Sequence, residues 1–353
     1  METLSITTQT AYAELVEQLL ATDTERSIGQ VPGTFVTKDI KGKTYLYFQF
    51  SAPGGTTKQV YVAPQSPELD ALTRQFELER ASVRRDRERV VELAAMLRAG
   101  GAAVTDAASA RVLGALAESG VFRLGGLLVG THAFVALGNV LGVRWPTAAR
   151  TEDIDIAATR VLEIAVPDLQ ADVPKVIESL GMGFLPVPAF SPKDPSTSFK
   201  VRGRGLRVDL VTPARKGSTK PVIVRRLNAA AAPVRFLEYL LDTSQPAALV
   251  DGGGILVQVP SPAHFGVHKL LVAQDRPPAF QAKAIKDVAQ AAHVLAALEE
   301  LRPGDVAAAW RDAASRGAQW ARALGRGRTL LERRHPDVFR IVERSLSASA
   351  ADR

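Results

Sequence analysis

The strongest constraint on the fold is a short alternation of acidic and apolar residues near the middle of the chain. Residues 150–160 read RTEDIDIAATR, with Asp153 and Asp155 alternating with Ile154 and Ile156. Side chains on a β-strand point alternately to its two faces. The pattern therefore predicts a strand that buries its isoleucines and places both aspartates on the other face, with their Cα atoms roughly 6.5 Å apart.

Two carboxylates on one strand face repel each other, so one of them should have a raised pKa unless a cation lies nearby. Mg²⁺ removes this repulsion and is commonly held by one or two carboxylates, water and phosphate. A third candidate ligand, Asp209, lies in GLRVDLVTP, residues 205–213, and alternates there with Val208 and Leu210. Three such carboxylates would suit a pair of divalent ions, either Mg²⁺ or Mn²⁺. Taken alone, however, an Asp-x-Asp sequence is more often a pair of strand-end or turn residues.

A glycine-containing turn precedes the acidic strand. In LGGLLVGTHAFVALG, residues 124–138, an apolar strand ends at Gly130 and Thr131, and an apolar helix follows at once. Gly130 allows a ligand to approach the backbone closely, and Thr131 is predicted to cap the helix through its hydroxyl group. The N-terminus of such a helix favours phosphate. By itself, the turn is better explained as an ordinary tight connection between a strand and a helix.

Together, these motifs resemble those of the nucleotidyltransferase superfamily that includes DNA polymerase beta. The shared order is a strand, Gly-Thr, a helix, Asp-Ile-Asp on the next strand and a later single Asp. The strings RTEDIDIA and HKLLVAQDRPPAFQAKAIKDVAQAAHVL, residues 268–295, are also similar to bacterial abortive-infection toxins of the AbiE type. The resemblance covers roughly residues 120–300. It implies transfer of a nucleoside monophosphate from an NTP to an acceptor hydroxyl, with Mg²⁺ as cofactor.

The resemblance implies a role for individual positions. Gly130 and Thr131 match the glycine–serine pair with which the family holds the triphosphate. Asp153 and Asp155 match its metal-binding pair. Asp209 matches the third carboxylate, which is expected to bind metal and to help deprotonate the acceptor hydroxyl.

The chain departs from the family pattern at two points. The second residue of the glycine motif is Thr131, where Ser or Gly is commoner. The separation between Gly130 and Asp153 is longer than in compact members of the superfamily. This longer separation implies an enlarged loop around residues 143–149.

Cations downstream of these motifs are candidates for contact with a triphosphate. On one predicted helix, Lys283 and Asp287 are neighbours at i and i+4, and Lys286 lies three residues after Lys283. Asp287 lies at the edge of an apolar stripe and should need a cationic partner, such as Lys283, Arg276 or Lys269. Because phosphoryl transfer depends on positioning and charge neutralisation, we expect all five residues to line the nucleotide site. The simpler interpretation is a solvated helix face with one salt bridge.

The order of predicted elements indicates an α+β protein with an α/β-like core. Residues 34–63 are typical of a small antiparallel β-meander, and residues 66–99 of one long charged helix. Strands and helices alternate in the central part of the sequence, which predicts a mixed sheet with helices, as in the nucleotidyltransferase fold that the resemblance implies. Residues 229–233 and 252–254 are predicted to be loops. From Pro260 onward the pattern predicts a C-terminal helical bundle. The predicted domains are 1–100, 101–259 and 260–353.

Composition narrows the possible classes of function. The chain has no cysteine, which excludes disulfides and thiolate metal sites and leaves carboxylate and imidazole as metal ligands. Its net charge of +7 would attract nucleotides or RNA, but a composition rich in Ala and Arg also occurs in basic proteins without such partners. The sequence shows neither a long uncharged apolar run nor a signal-peptide pattern, which predicts a cytoplasmic protein without membrane contact.

The active-site motifs do not encode the acceptor, so several hypotheses about the acceptor and about the class of protein stay open. RNA, such as a tRNA 3′ end, is the first choice, and the AbiE resemblance adds an antitoxin protein as a partner. A small-molecule or protein hydroxyl is the rival acceptor, and a catalytically silent binding module is the rival class. The glycines lack the spacing of a dinucleotide-binding dehydrogenase.

The meander carries basic and aromatic residues that suit either single-stranded RNA or packing on a helix. These residues are Lys38, Lys41, Lys43, Lys58, Tyr45, Tyr47, Phe48 and Tyr61.

Overall fold

In a computed structural model of the protein, the described residues form a mixed central sheet, three small sheets and a helical C-terminal part. The structure describes residues 2–24, 31, 33–51, 56–146, 152–158, 171–189, 191, 193–215, 219–276 and 278–351. Its helices are α1 (Ile6–Thr24), α2 (Pro67–Ala99), α3 (Ala107–Glu118), α4 (Gly130–Val140), α5 (Val173–Ser179), α6 (Glu238–Leu241), α7 (Pro262–Ala273), α8 (Gln281–Leu301), α9 (Asp305–Ser315), α10 (Ala318–Arg334) and α11 (Pro336–Ala351). Its strands are β1 (Glu2–Thr3), β2 (Thr34–Ile40), β3 (Lys43–Ser51), β4 (Thr57–Pro64), β5 (Leu127–Val129), β6 (Val143–Arg144), β7 (Asp153–Ala157), β8 (Phe184–Pro186), β9 (Ser198–Val201), β10 (Arg207–Pro213), β11 (Val222–Val224), β12 (Ala229–Val234), β13 (Ser244–Val250) and β14 (Gly254–Pro260).

The central sheet has the strand order β11–β12–β10–β7–β5, and β9 joins it by pairing with both β10 and β8. Strands β7, β10 and β12 run parallel to one another. Strand β5 is antiparallel to β7, and β11 is antiparallel to β12. The sheet is therefore mixed, and the predicted α+β fold with an α/β-like core is confirmed. Helix α4 follows β5 directly and packs against β7.

The two acidic strands form because one face of each is apolar. Ile154 and Ile156 on β7 are fully buried, as are Val208 and Leu210 on β10. Full burial of such side chains contributes about 1.5–3 kcal/mol each, which fixes the register and leaves the alternate residues on the other face. The strand predicted from the DIDIA alternation is confirmed, with β7 at Asp153–Ala157.

The C-terminal part is helical from α7 to α11, as predicted. Its apolar residues belong to the same core cluster as those of the central sheet, so this core includes residues on both sides of the predicted boundary at 259 and 260. The division into three domains stays a prediction. In the described part of the chain, no helix has the length and apolar character needed to cross a membrane.

Two predictions about connecting segments need correction. Residues 229–233 are not a loop, because Ala229–Val234 forms β12 between β10 and β11. Alanine has a low β-propensity, and burial of the strand in the sheet overrides it here. Residues 252 and 253 lie in the turn between β13 and β14, whereas Gly254 begins β14. Of the predicted enlarged loop, Val143 and Arg144 pair with β1, and residues 147–149 lie outside the described residues.

The predicted N-terminal meander is confirmed as β2, β3 and β4, joined in antiparallel order. The long helix α2 follows it. Ser66 caps this helix by accepting a hydrogen bond from the backbone N–H of Leu69. Phe35 and Phe48 of the sheet contact the ring of Phe76 on α2 edge-to-face, which attaches one face of the meander to the helix.

Candidate active site

Asp153, Asp155 and Asp209 lie on the same face of the central sheet. Strands β7 and β10 are parallel neighbours, and their register places Asp209 directly opposite Asp155 and Arg207 opposite Asp153. Neighbouring strands are about 4.8 Å apart, so the three carboxylates come from one small patch of the sheet. The structure thus brings together the three acidic residues that the sequence singled out.

The surroundings of Asp155 disfavour the charged form of its carboxylate. Burial raises its pKa to about 6, and the negative charges of Asp209 and Asp153 also raise it, whereas Lys269 and Lys283 lower it. Repulsion between neighbouring carboxylates is the condition that the sequence predicted for this strand. A cation bound among these groups would reverse that effect.

Gly130 lies directly against Asp155. It has a φ of 68°, in the left-handed region that favours glycine, and it begins α4. A Cβ at this position would overlap Oδ2 of Asp155. The absence of a side chain therefore lets the carboxylate approach the N-terminus of α4, where the helix dipole favours negative charge. Contact between Gly130 and a triphosphate stays a prediction.

Thr131 does not cap α4, so that prediction is wrong. The N-cap residue is Val129, and no side chain in the described part of the protein makes a capping hydrogen bond there. Thr131 is buried, and its hydroxyl oxygen accepts a hydrogen bond from Nε2 of Gln290 on α8 at 3.4 Å. The first N–H groups of α4 therefore have no side-chain cap, which is the arrangement that can bind an anion.

Asp209 is held by two residues that the sequence patterns did not reveal. Nε of Arg207 donates a hydrogen bond to Oδ1 of Asp209 at 2.7 Å, and the Ser198 hydroxyl donates to the same oxygen. Nη2 of Arg207 also donates to Ser198 Oγ at 2.9 Å. Arg207 could have been identified, because it lies two residues before Asp209 and shares its strand face. The contact of Ser198 depends on the register of β9 against β10, which the strand patterns alone do not set.

Asp287 on α8 forms ion pairs with two cations. Nζ of Lys269 lies 2.7 Å from Oδ1, and Nη2 of Arg276 lies 2.9 Å from Oδ2. Burial alone would raise the pKa of Asp287, but these two cations lower it below its usual range. The predicted need for a cationic partner is confirmed, with Lys269 and Arg276 as the partners. Lys269, itself buried, is also close enough to Asp155 to lower the pKa of that carboxyl.

Lys283 and Lys286 approach the carboxylates from the same helix. Lys283 lowers the pKa of Asp155. Burial lowers the pKa of Lys286, as does Lys269, whereas Asp153 raises it. Three of the five predicted residues, Lys269, Lys283 and Lys286, therefore lie close enough to interact with the charges of the acidic patch, and Asp287 and Arg276 join them through ion pairs.

Two further buried polar groups lie beside the start of α4. Burial lowers the pKa of His132 to about 4, which leaves the imidazole neutral near neutral pH. In the described part of the chain, Nε2 of His132 and Oε1 of Gln290 have no hydrogen-bond partner. Unsatisfied buried polar atoms are uncommon, and here they suit a polar ligand. His132 follows the Gly130–Thr131 motif directly, which is a signal that could have identified it.

The chemistry of the carboxylates fits a hard divalent cation, because all three supply oxygen ligands and Asp155 has a raised pKa. Across the described ranges, however, no three His, Asp or Glu side chains already form a group that could hold a metal ion. One oxygen of Asp209 instead contacts Arg207 and Ser198. Binding of metal by all three carboxylates therefore requires Asp209 to use its other oxygen or to turn from Arg207.

A family model described as "Nucleotidyltransferase" matches residues 107–315, which is more than half of the chain. The chain belongs to this nucleotidyltransferase family. The matched range of the nucleotidyltransferase includes the acidic patch, the start of α4 and the cations of α7 and α8. The resemblance to the superfamily is confirmed, whereas nearness to AbiE-type toxins stays a prediction.

Among solved structures, the nucleotidyltransferase is similar to an antigenic nucleotidyltransferase-like protein from Paracoccidioides brasiliensis. The two share 16% sequence identity with a TM-score of 0.29, over 62% of this chain and 93% of the other. No curated protein matches the chain.

Proposed function

We propose that this nucleotidyltransferase transfers a nucleoside monophosphate from an NTP to a hydroxyl group of RNA, such as the 3′ end of a tRNA. Mg²⁺ or Mn²⁺ would be held by Asp153, Asp155 and Asp209. The observation that carries the proposal is the register of β7 and β10, which sets Asp209 opposite Asp155. Family membership supports the class of reaction, and the shared sheet face supports the choice of residues.

The triphosphate would bind between the start of α4 and the cations of α7 and α8. The proposed phosphate ligands are the backbone of Gly130 and Thr131 and the side chains of Lys269, Arg276, Lys283 and Lys286. Asp287 would position two of these cations through its ion pairs. Among the described residues, no side chain caps the N–H groups at the start of α4 and none bonds to Nε2 of His132, which supports a phosphate at this place.

The reaction itself is an in-line displacement. The acceptor oxygen forms a bond to the α-phosphorus, the bond from that phosphorus to the bridging oxygen breaks, and pyrophosphate leaves. Asp209 would accept the proton of the acceptor hydroxyl. A divalent cation, when bound, neutralises charge on the phosphate oxygens and favours ionisation of the hydroxyl. The lysines and Arg276 would stabilise the negative charge that develops on the leaving pyrophosphate.

RNA is the proposed acceptor for two reasons. The net charge of +7 favours a polyanion, and the AbiE-like strings resemble those of toxins for which RNA is the expected acceptor. The same resemblance supports an antitoxin protein as a second proposed partner. A small-molecule or protein hydroxyl is the rival acceptor, because the carboxylate patch would serve any hydroxyl group.

The proposal is tested by supplying each α-labelled NTP with Mg²⁺ or Mn²⁺ and a cell lysate divided into RNA, protein and small molecules. We expect label in the RNA fraction, release of pyrophosphate and no transfer when EDTA is present. Label in the protein or small-molecule fraction would replace RNA as the acceptor. An absence of labelled product from all fractions and all four NTPs would contradict nucleotidyl transfer itself.

A further inference from the structure

The three-stranded meander has two faces of different character. Phe35, Leu46 and Phe48 lie on the face that packs on α2, where Leu46 is buried and both phenylalanines contact Phe76. The aromatic residues of the meander are therefore divided between the two faces. Phe35 and Phe48 attach the sheet to α2, whereas the tyrosines lie on the face away from that helix.

The opposite face carries a cluster of tyrosines. The register places Tyr47 between Val36 of β2 and Tyr61 of β4, and Tyr45 opposite Lys38. The rings of Tyr47 and Tyr61 lie 5.6 Å apart, and those of Tyr45 and Tyr61 lie 6.1 Å apart. Tyr61 is 51% exposed, and the other two are partly exposed. Aromatic rings are thus presented on the surface of the sheet rather than buried in the core.

Positive charge accompanies these rings. Nζ of Lys38 lies 4.7 Å from the centre of the Tyr47 ring, and Lys43 is exposed two residues before Tyr45 on the same face. Among the residues that the structure describes on β2, β3 and β4, the one carboxylate is that of Asp39. Asp39 alternates with Lys38 onto the other face, where it accepts a hydrogen bond from Thr44. The tyrosine face therefore combines stacking surfaces with positive charge that no carboxylate of the described residues of β2, β3 and β4 opposes on that face.

We propose that this face, formed by Tyr45, Tyr47, Tyr61 and Lys38, binds single-stranded nucleic acid. Its bases would stack on the tyrosine rings and its phosphates would contact the lysines. Stacking platforms with flanking cations are the means by which sheets bind single strands without a fixed sequence. The inference rests on the proposed function for its role, since it gives the RNA acceptor a binding surface outside the acidic patch.

Charge complementarity selects this occupant. A duplex hides the faces of its bases, so it could use the lysines but not the tyrosine rings. A second copy of this chain would bring the same positive charge to the interface. A single strand uses both the exposed rings and the cations, which makes it the partner that fits the whole face.

The test measures binding without catalysis. A fluorescein-labelled oligouridylate of about 12 nucleotides, within the usual site size of such binders, is titrated with the full chain by fluorescence anisotropy, with neither NTP nor divalent metal. We expect Tyr61→Ala to weaken binding by about 5- to 150-fold. Tyr61→Phe, which keeps the ring, should bind as the unaltered protein does.

The lysines supply a matched pair of controls. Lys38→Ala should weaken binding and reduce its dependence on salt concentration, because a phosphate contact is lost. Lys58→Ala removes the same charge from the other face, where Lys58 is paired in register with Phe50, and should have a smaller effect. Circular dichroism melting establishes that each variant is folded.

Three results would overturn the proposal. The first is equal affinity of Tyr61→Ala and the unaltered protein for the oligouridylate, and the second is equal or tighter binding of a hairpin duplex. The third is self-association, detected by sedimentation, that Tyr61→Ala abolishes. Failure of nucleotidyl transfer is a separate outcome: Asp209→Asn should bind the oligouridylate normally while its rate of nucleotide transfer falls.

Discussion

Asp209 on β10 lies directly opposite Asp155 on β7, on the same face of a parallel strand pair. This relationship explains why the fold tolerates like charges on neighbouring strands. Ile154, Ile156, Val208 and Leu210 pack the other face into the core, so the partly buried acidic face is free to serve chemistry rather than stability. The raised pKa of Asp155, caused by burial and by its acidic neighbours, is the energetic consequence.

Replacement of Asp155 should make the protein more stable at neutral pH. Because the folded-state pKa of about 6 exceeds the usual 3.8, the folded state holds a proton that the unfolded state releases. The free energy of unfolding therefore falls as pH rises from about 4 to about 6. Asp155→Asn has no carboxyl group that titrates at this position. Its free energy of unfolding should therefore exceed that of the unaltered protein by at most about 3 kcal/mol at pH 8. Urea unfolding with EDTA across this range measures it, and parallel pH curves for the two proteins would contradict it.

Gly130→Ala should impair both folding and transfer. A Cβ would overlap the Asp155 carboxylate, and a φ of 68° is unfavourable for alanine. We expect a loss of about 1–3 kcal/mol in the free energy of unfolding. Gly325→Ala is the matched control, since Gly325 is exposed on α10 with open space around it and alanine should stabilise that helix slightly. If Gly130→Ala unfolds in urea like the control, then Gly130 is not required beside Asp155.

Much of the acidic strand could be predicted because its acidic residues and its apolar residues alternate regularly, one set on each face. The alternation of Asp153 and Asp155 with isoleucines is local, so it determined both the strand bounds and the faces. The ion pairs of Asp287 could be predicted because a buried carboxylate requires a cation. Both inferences depend on residue chemistry, namely the alternation of polar with apolar residues and the need of a buried carboxylate for a cation, and not on knowing which strands pair.

The remainder depends on which segments pair and in what register, and the local patterns do not specify this. Thr131 follows a strand end and was expected to cap α4, but Gln290, from a helix 159 residues later, determines where its hydroxyl points. The interaction of Ser198 with Asp209 arises from antiparallel pairing of β9 with β10. The alanines of β12 form a strand because β10 and β11 flank them. No local propensity encodes these pairings.

Lys286 should contribute to NTP binding rather than to folding. It is partly buried and near Asp153, and burial together with Lys269 lowers its pKa, as expected for a cation without full compensation. Lys286→Ala should raise KM for the NTP about 10- to 100-fold, the scale of a lost hydrogen bond to a charged group. Lys175→Ala, at an exposed position on α5, is the control. An unchanged KM with Lys286→Ala would remove this residue from the nucleotide site.

Asp287 should be essential for stability because it neutralises buried Lys269. Asp287→Ala should lower the free energy of unfolding by about 3–5 kcal/mol, since it leaves an uncompensated buried charge. The double variant Lys269→Met with Asp287→Leu should recover most of that loss without recovering transfer. Urea unfolding of the three proteins measures this. A double variant no more stable than Asp287→Ala would show that the ion pair is not the cause.

The most direct measurement of the central claim compares label transfer from an α-labelled NTP by the unaltered protein, Asp209→Asn and Asp305→Asn. Asp305 is exposed at the start of α9, so its variant serves as a carboxylate control. Asp209→Asn should lower kcat about 100- to 10,000-fold, as expected for loss of a proton acceptor, while its melting temperature stays close to that of the unaltered protein. Transfer by Asp209→Asn at the rate of the Asp305→Asn control would contradict the assignment of the acidic patch as the active site.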